Sequence, residues 1–300
     1  MSRRNQWLGY FFVILSAVIF GCMPLGANFL YAQGVTPMSL VFLRNLLSLP
    51  LLALLGSRQG GLRISRDALR EVGVAAFFGC WLAPTLLFSS YRYLASGMAT
   101  VFHFAYPVIV VLGGFLLREK VKKSALFCAL LCSLGILLLF DPHGTVDPLG
   151  VTFALTSGVA YAVYILILGY FRHREVSGFR LSFYMAIVSM ICTLILCLAT
   201  GQLCLPQTPG GWGVAFLFSF AVSVGAVVLF QEGTFLIGAQ LAAILSTFEP
   251  ITSIFFGILF LNETLTPRIL LGSAITLLAG VLITVTGRKS GENAADAAQD

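Results

Sequence analysis

The sequence predicts an all-α polytopic membrane protein whose ten transmembrane helices form two inverted five-helix repeats. Three observations predict this class: the composition, the placement of the basic residues, and a similarity between the two halves of the chain. Of the 300 residues, 58% are hydrophobic and 10% are charged, whereas soluble globular chains average about 45–50% and 25%. One soluble core cannot bury so many apolar residues. The composition therefore excludes a soluble enzyme and a nucleic-acid-binding domain.

Ten hydrophobic runs approach the roughly 20 residues that a bilayer-spanning helix needs. They predict membrane spans at residues 8–30, 38–56, 71–92, 97–117, 124–140, 149–171, 179–200, 212–234, 239–261 and 268–287. The run after MSRRNQ is too long for a signal peptide and is expected to remain as the first helix. The polar segment 288–300 is expected to be a disordered cytoplasmic tail.

The distribution of Lys and Arg predicts the orientation, because cytoplasmic loops carry an excess of basic residues. With the N-terminus inside, 15 of the 18 basic residues fall on the cytoplasmic side, and the loops around 31–37, 141–148 and 201–211 carry none. We therefore expect a multi-pass protein of the cytoplasmic (inner) membrane with both termini in the cytoplasm. The net charge of +6 belongs to these loops and does not form a nucleic-acid-binding surface.

The two halves of the chain align with each other. YLASGMATVFHFAYP (93–107) matches LIGAQLAAILSTFEP (236–250) at an offset of 143, and GYFFVILSAVIFG matches GVTFALTSGVAYA at an offset of 141. Each unit, 8–140 and 149–287, holds five predicted spans, so the second must enter the membrane upside down. The charges agree, since the loop at 57–70 has four arginines and its counterpart at 201–211 has none. Inverted repeats are typical of secondary transporters, whose sites lie near the midplane.

Each half also places a proline about a dozen residues before a glutamate, Pro107 before Glu119 and Pro250 before Glu263. Together with the ending FEP…FGILFLNETLTPRILLGSAITLLAGVLI, this makes residues 8–287 resemble two EamA repeats of the drug/metabolite transporter (DMT) superfamily. The first-half spacing is one residue shorter, and Tyr106 stands where the second half has Glu249. The resemblance implies export or exchange of small metabolites, amino acids among them, around a cavity formed mainly by spans 1, 3, 4, 6, 8 and 9.

Glu249 is the most informative polar residue, because a carboxylate within a membrane is costly unless it faces protein, water or a proton. It is interpreted as a cavity-lining group that binds a cationic part of the substrate or carries a proton. The alternative is a structural carboxyl group that bonds to a neighbouring helix. His103 has the same two interpretations, a ligand or proton carrier and an interhelical hydrogen bond. The overlay of the halves pairs Tyr106 with Glu249 and His103 with Ser246, and all four are candidate substrate-binding residues.

Aromatic and polar residues also recur on one face of the third and sixth spans. Trp81 and Thr85 on the third span, and Tyr161 and Tyr164 on the sixth, are further candidates for binding the substrate. Ordinary core packing is the alternative explanation of these stripes.

Arg44 lies within the second span and is expected either to reach the membrane surface or to pair with a buried carboxylate such as Glu249. It is a candidate for coupling or gating, as are Glu249 and His103. Pro24, Pro84, Pro107 and Pro250 would supply kinks at which spans bend to open or close the cavity.

The sequence thus predicts a secondary transporter that moves a small metabolite, with export of aromatic or other hydrophobic amino acids as the specific hypothesis. Rival hypotheses are a flippase for lipids or lipid-linked solutes and a receptor or assembly subunit that transports nothing. No catalytic motif occurs in a plausible context, so an enzyme is not expected. The seven cysteines lack the spacing of a metal site, and neither metal nor cofactor is expected. Expected partners are a small-molecule substrate, the lipid bilayer and coupled protons, in a monomer or weak dimer.

Overall fold

The computed structural model describes residues 3–94, 96–117, 123–138, 147–173 and 175–261, together with 267–268, 271–272, 274–275, 278–279 and 282. Six helical stretches in this described part are long and apolar enough to cross a membrane: Asn5–Ala32, Pro37–Arg58, Arg66–Ser90, Pro148–Tyr170, Gly178–Thr200 and Pro209–Ile237. They coincide with the first, second, third, sixth, seventh and eighth predicted spans, which confirms a helical multi-pass membrane protein. The count of ten stays a prediction. Glu119, Glu263, the tail at 288–300 and most of the tenth span lie outside the described residues.

The helices follow the predicted spans closely. The first half contains α1 (Arg3–Gly21), α2 (Met23–Ala32), α3 (Pro37–Arg58), α4 (Arg66–Ala76), α5 (Ala83–Ser90), α6 (Ser96–His103), α7 (Tyr106–Leu116) and α8 (Lys123–Leu138). The second half contains α9 (Pro148–Tyr170), α10 (Gly178–Thr200), α11 (Pro209–Ser219), α12 (Val227–Ile237), α13 (Ala239–Leu245) and α14 (Phe248–Leu261). The π-helical segments Phe77–Leu82 and Phe220–Ala226 join α4 to α5 and α11 to α12, so each pair forms one continuous span.

Several spans begin with the same two-residue signal. Thr36, Asp147 and Thr208 each accept a hydrogen bond from a backbone N–H in the first turn of the helix that follows, and the next residue is a proline in all three cases. The side-chain oxygen serves a donor that has no partner within the helix, and proline brings no N–H of its own. The starts of α3, α9 and α11 are therefore fixed by local sequence.

Prolines also mark the interruptions within the spans. Pro24, Pro84, Pro107 and Pro250 each stand two or three residues after a helix break or a π-helical segment, at Cys22, 77–82, 104–105 and 246–247 respectively. A proline cannot donate to the carbonyl group four residues earlier, so the regular helix fails there. The breaks lie where the sequence predicts kinks, and a role of these prolines in gating stays a prediction.

In the third span, the carbonyl group that Pro84 leaves without a donor belongs to Cys80. Ser189 of α10 donates its hydroxyl to this carbonyl at 2.7 Å, and Asn45 of α3 donates to Ser189 at 2.9 Å. A backbone acceptor without a partner costs roughly several kcal/mol in a membrane. These two hydrogen bonds therefore stabilise the interruption. They also join the second, third and seventh spans at one depth.

In the fourth span, Pro107 leaves the carbonyl group of His103 without its helical donor. This oxygen faces Gly158 of α9, where an ideal Cβ atom would lie only 2.5 Å from it. Only a residue without a side chain lets the sixth span approach the break so closely. Gly158 is therefore required by the close contact between two backbones.

Contacts between loops define the two ends of the bundle. At one end, where the first span ends and the second begins, Ser39 of the second span donates to the carbonyl group of Gln202 at 2.9 Å, just after the end of the seventh span. At the opposite end, Tyr184 donates to the carbonyl group of Leu62 at 2.8 Å, and the backbone N–H of Arg172 donates to Glu71 at 3.2 Å. The first span thus runs toward one end and the sixth span toward the other.

The most extensive packing between two spans is that of α3 against α10, and two further groups of spans pack around α1 and α9. In the first group α1 contacts α12 and α14, and in the second α9 contacts α5, α6 and α7. At the crossing of α1 and α12, an ideal Cβ atom on Gly9 would lie 2.9 Å from the Leu236 side chain, and one on Gly233 would lie 3.1 Å from the Gly9 carbonyl oxygen. The small residues bring these two helices into backbone contact, as is typical of helix pairs in membranes.

We expect Gly158→Ala to lower the melting temperature of the purified protein in detergent. The added methyl group meets a backbone oxygen that cannot rotate away, and such overpacking typically destabilises by about 1–3 kcal/mol. Gly73→Ala is the matched control, because a Cβ atom on Gly73 would have no neighbour within 4 Å. Equal melting temperatures for the two variants would contradict the close contact at Gly158.

Candidate functional site

A central cavity of about 50 Å³ lies among the first, second, third, fourth, sixth, eighth and ninth spans. A water molecule needs roughly 10–15 Å³, so the cavity has room for a few. Five of the residues singled out in the sequence for binding, coupling or gating line it: Arg44, His103, Tyr161, Tyr164 and Glu249. Pro84 lines it as well. The cavity therefore gathers residues that are up to 229 positions apart in the chain, between Phe20 and Glu249.

The cavity holds the guanidinium group of Arg44 and the carboxyl group of Glu249, which are not paired with each other. Arg44 is 4% exposed and Glu249 is 7% exposed. Among the described residues, no carboxylate lies within the 4.0 Å of an ion pair with Arg44, and no cation does so with Glu249. The expectation that these two residues form a pair is therefore not met in this conformation. Both remain available to a solute.

The hydrogen bonds around His103 fix which ring nitrogen carries its proton. Ser157 of α9 donates its only hydroxyl hydrogen to the carbonyl group of Ala83 at 2.7 Å. The contact between Ser157 Oγ and His103 Nδ1, at 2.9 Å, therefore has Nδ1 as the donor. In the neutral ring, Nε2 is then a hydrogen-bond acceptor, and none of the described residues donates to it. His103 thus presents an acceptor at the wall of the cavity.

Tyr106 and Ser246 lie behind the cavity wall and connect the breaks of the fourth and ninth spans. The Tyr106 hydroxyl is 2.5 Å from Ser246 Oγ. Ser246 donates to the carbonyl group of Ala243 at 2.9 Å, so Tyr106 is the donor of the bond between them. Neither residue lines the cavity, although both were candidates for binding the substrate. Their role in this conformation is to hold the two interrupted helices together.

An aromatic cluster forms one wall of the cavity, with Tyr161 at its centre. The ring centroid of Tyr161 lies 4.9 Å from that of Tyr106, 5.4 Å from His103, 5.6 Å from Tyr164 and 5.9 Å from Phe230. Aromatic rings at these distances interact favourably and hold one another in place. The wall is therefore a fixed apolar surface next to the ionisable groups.

Tyr164 is positioned by a glycine and a buried amide. Its ring lies directly over Gly79 in the π-helical segment of the third span, where any Cβ atom would clash with the ring. Its hydroxyl accepts a hydrogen bond from Gln231 Nε2 at 3.2 Å, and Gln231 Oε1 accepts one from Ser182 at 2.8 Å. The third, sixth, seventh and eighth spans meet through these contacts.

Trp81 and Thr85 do not line the cavity, in contrast to the expectation from the stripe on the third span. The Trp81 ring packs on Phe77 with centroids 4.9 Å apart, and Phe77 is 41% exposed on the outside of the bundle. The wide turns of the π-helical segment shift the register from the 3.6-residue period on which the stripe was based. Small residues of the same span, Gly79 and Ala83, face the cavity instead.

Several cavity residues carry no polar group and were not singled out in the sequence. The repeat offsets of 141 and 143 could have identified these residues, because each offset pairs a cavity residue of the first half with a cavity residue of the second half. The pairs are Phe20 with Tyr161, Met23 with Tyr164, Pro84 with Val227 and Leu87 with Phe230.

Comparison with known proteins agrees with this architecture. The profile of the EamA-like transporter family matches the chain twice, over residues 7–141 and 148–286. An uncharacterised transporter of Bacillus subtilis, YcbK, is 28% identical over 95% of this chain and 93% of its own length. The riboflavin transporter ImpX of Fusobacterium nucleatum is 24% identical over 81% of this chain and 86% of its own.

A solved crystal structure superimposes on the chain with a TM-score of 0.77, covering 96% of this chain and 99% of the other. At 18% sequence identity, this likeness shows a shared fold. The two family matches account for nearly the whole chain and for both halves that align with each other. The chain therefore belongs to the EamA-like transporter family and is a multi-pass membrane protein that transports small solutes.

Proposed function

We propose that this protein is a secondary transporter that exports amino acids with aromatic or other hydrophobic side chains across the cytoplasmic membrane by alternating access. The central cavity is the observation that carries the proposal. There, the carboxyl group of Glu249 and the imidazole of His103 meet the aromatic wall around Tyr161. Such a combination suits a solute with a cationic group at one end and an apolar group at the other.

The ammonium group of an amino acid has three hydrogens to donate. Glu249 offers carboxylate oxygens, and His103 offers Nε2 as an acceptor, since Nδ1 is engaged with Ser157. The apolar side chain of the substrate would pack on Tyr161, Tyr164 and Phe230. The charge of Glu249 would then be neutralised by the substrate, which offsets the cost of a carboxylate at this depth.

An inverted-repeat arrangement of the two halves is part of the proposal and would support alternating access. The first and sixth spans run in opposite directions, and π-helical segments interrupt both the third and the eighth spans. The fourth and ninth spans also break at matching places, 104–105 and 246–247. Inverted repeats place the substrate near the midplane, on the axis that relates them. They also permit two conformations, one open to each side of the membrane, that are related by the same two-fold axis.

Proton coupling is part of the proposal. A carboxyl group that alternately binds a cation and a proton stays neutral throughout the cycle, so substrate and proton would exchange at Glu249. His103 is the second titratable group at the same wall. The coupling would be an antiport, with an amino acid leaving the cell as a proton enters.

The relative that transports riboflavin favours a related but distinct substrate, a flat aromatic solute without an ammonium group. The aromatic wall suits either solute, whereas Glu249 suits only a cationic one. Riboflavin is therefore the discriminating probe.

A flippase would need a lateral opening that connects the site with the lipid. The described residues do form an apolar groove of about 330 Å³ on the outside of the bundle, bordered by Phe104, Val108, Leu137 and Leu155 among others. None of the described residues lines both this groove and the central cavity. The groove thus does not support a path by which a lipid headgroup could reach the central cavity from the membrane. A receptor without transport is distinguished by proteoliposomes in which no solute moves.

We expect Glu249→Gln and Tyr161→Leu each to weaken phenylalanine binding at least about tenfold, or 1.4 kcal/mol, in ligand-induced thermal stabilisation. The first change removes the charge that faces the ammonium group, and the second removes the central ring of the wall. Leu137→Ala is the control, because Leu137 is 61% exposed on the lipid side. If the wild type binds riboflavin tightly and binds no amino acid, the amino acid hypothesis is rejected.

We expect Glu249→Gln to abolish the dependence of transport on a pH gradient in proteoliposomes, and His103→Asn to alter it. Without an ionisable carboxyl group, the site has no means of exchanging a proton for a cationic substrate. Glu232→Gln is the matched control, since Glu232 accepts a hydrogen bond from the backbone of Gly178 away from the cavity. Normal pH dependence in both site variants would place the coupling at another residue, and transport by the wild type without any dependence on the pH gradient would indicate facilitated diffusion.

For the orientation, we expect a cysteine at position 207 to react with an impermeant reagent from outside the cell, and one at position 59 to be protected. Gln207 and Gln59 are both exposed and lie at opposite ends of the bundle. The arginine-rich end carries position 59, and basic loops stay in the cytoplasm. The measurement uses Gln207→Cys and Gln59→Cys in a chain that lacks the native cysteines. The reverse labelling pattern would contradict cytoplasmic termini.

A further inference from the structure

Arg44 is a buried cation for which the described residues supply no counter-ion. It lies in the first half of α3, is 4% exposed and lines the central cavity. Its Nε atom is buried and has no hydrogen-bond partner. Cys80, Tyr161 and Tyr164 surround its side chain, and none of them is a carboxylate. The guanidinium group therefore has unused donors at the wall of the cavity.

The backbone at this position prevents Arg44 from turning toward the membrane surface. Its carbonyl group accepts hydrogen bonds from Ser219, at 2.5 Å, and from Ser223, at 3.3 Å. The neighbouring Asn45 is fixed by Ser189 at 2.9 Å. These bonds set the rotation of α3 about its axis, so the arginine side chain is held toward the cavity. An unpaired arginine inside a membrane is costly, which indicates that an anion joins it at some stage.

We propose that Arg44 binds the carboxylate group of the substrate, so that the cavity selects zwitterionic amino acids over amines and neutral solutes. This inference rests on the proposed function and adds the second of two charged contacts. A guanidinium group matches a carboxylate with two parallel N–H···O bonds. Arg44 and Glu249 line one cavity without pairing to each other, so a zwitterion neutralises both at once. The aromatic wall receives the side chain of the same solute.

Three probes with one phenyl group separate the two charges of the substrate. Phenylalanine carries both charges, 2-phenylethylamine carries only the ammonium group, and 3-phenylpropanoate carries only the carboxylate. Their affinities are measured by thermal stabilisation of the purified full-length protein, in the wild type, Arg44→Gln, Arg44→Lys and Arg92→Gln. Arg92 is the control because it is an exposed arginine outside the cavity.

The wild type is expected to bind phenylalanine at least about tenfold more tightly than 2-phenylethylamine. Arg44→Gln is expected to weaken phenylalanine and 3-phenylpropanoate at least about tenfold while leaving 2-phenylethylamine nearly unchanged. Arg44→Lys keeps the charge without the planar fork and is expected to fall between these limits. Arg92→Gln is expected to match the wild type with all three probes.

The proposal is overturned if Arg44→Gln weakens all three probes equally, as a structural or gating arginine would, or weakens none. If Arg44→Gln does not fold, Arg44→Lys and the wild type decide, and equal wild-type affinities for phenylalanine and its amine overturn the proposal. Arg44-dependent binding of 3-phenylpropanoate without binding of phenylalanine would keep the role of Arg44 and reject amino acids as substrates. Transport of phenylalanine that is unaffected by Arg44→Gln would keep amino acids as substrates and reject the role of Arg44.

Discussion

The backbone of a membrane-spanning helix has to satisfy its own hydrogen bonds, and the structure depends on how this rule is met where the helices are interrupted. The carbonyl group of Cys80, which Pro84 leaves without a donor, accepts a hydrogen bond from the hydroxyl group of Ser189 on the seventh span. At the ninth-span break, the carbonyl group of Ser246 accepts the N–H of Glu249 at 2.9 Å, which Pro250 cannot provide. Irregular backbone inside a membrane is tolerated only where protein or a cavity surrounds it. The interruptions therefore lie in the centre of the bundle, and the site lies beside them.

The hydrogen bonds also separate structural polar residues from available ones. Asn45 and Gln231 are buried and donate or accept hydrogen bonds to residues of other spans, Asn45 to Ser189 and Gln231 with Tyr164 and Ser182, so they fix the positions of neighbouring spans. Arg44, His103 and Glu249 keep unused donors or acceptors and share one cavity. Burial alone does not distinguish the two groups, since all five are at most 7% exposed. What distinguishes them is whether a neighbour completes their hydrogen bonds.

Much of this arrangement follows from the sequence, because composition, basic loops and prolines act locally. They locate the spans, the kinks and the ionisable residues near mid-depth. The face that a residue presents depends on the register of its helix, and the π-helical segment in the third span changes that register. Trp81 was expected at the site as part of an aromatic-polar stripe and instead packs on Phe77, whereas Gly79 lines the cavity with the Tyr164 ring lying over it. Such a complementary contact between distant residues leaves no periodic signal in either segment.

The backbone contact between α1 and α12 at Gly9 and Gly233 has a mechanical consequence. Helices that touch through their backbones cannot slide without losing that contact, so the first, eighth and ninth spans form one stiff body. The sixth span forms another with the third and fourth, through Gly158. The boundary between these bodies passes through the cavity and not between the halves of the sequence. Each body takes spans from both halves of the chain, so neither half by itself encloses the cavity.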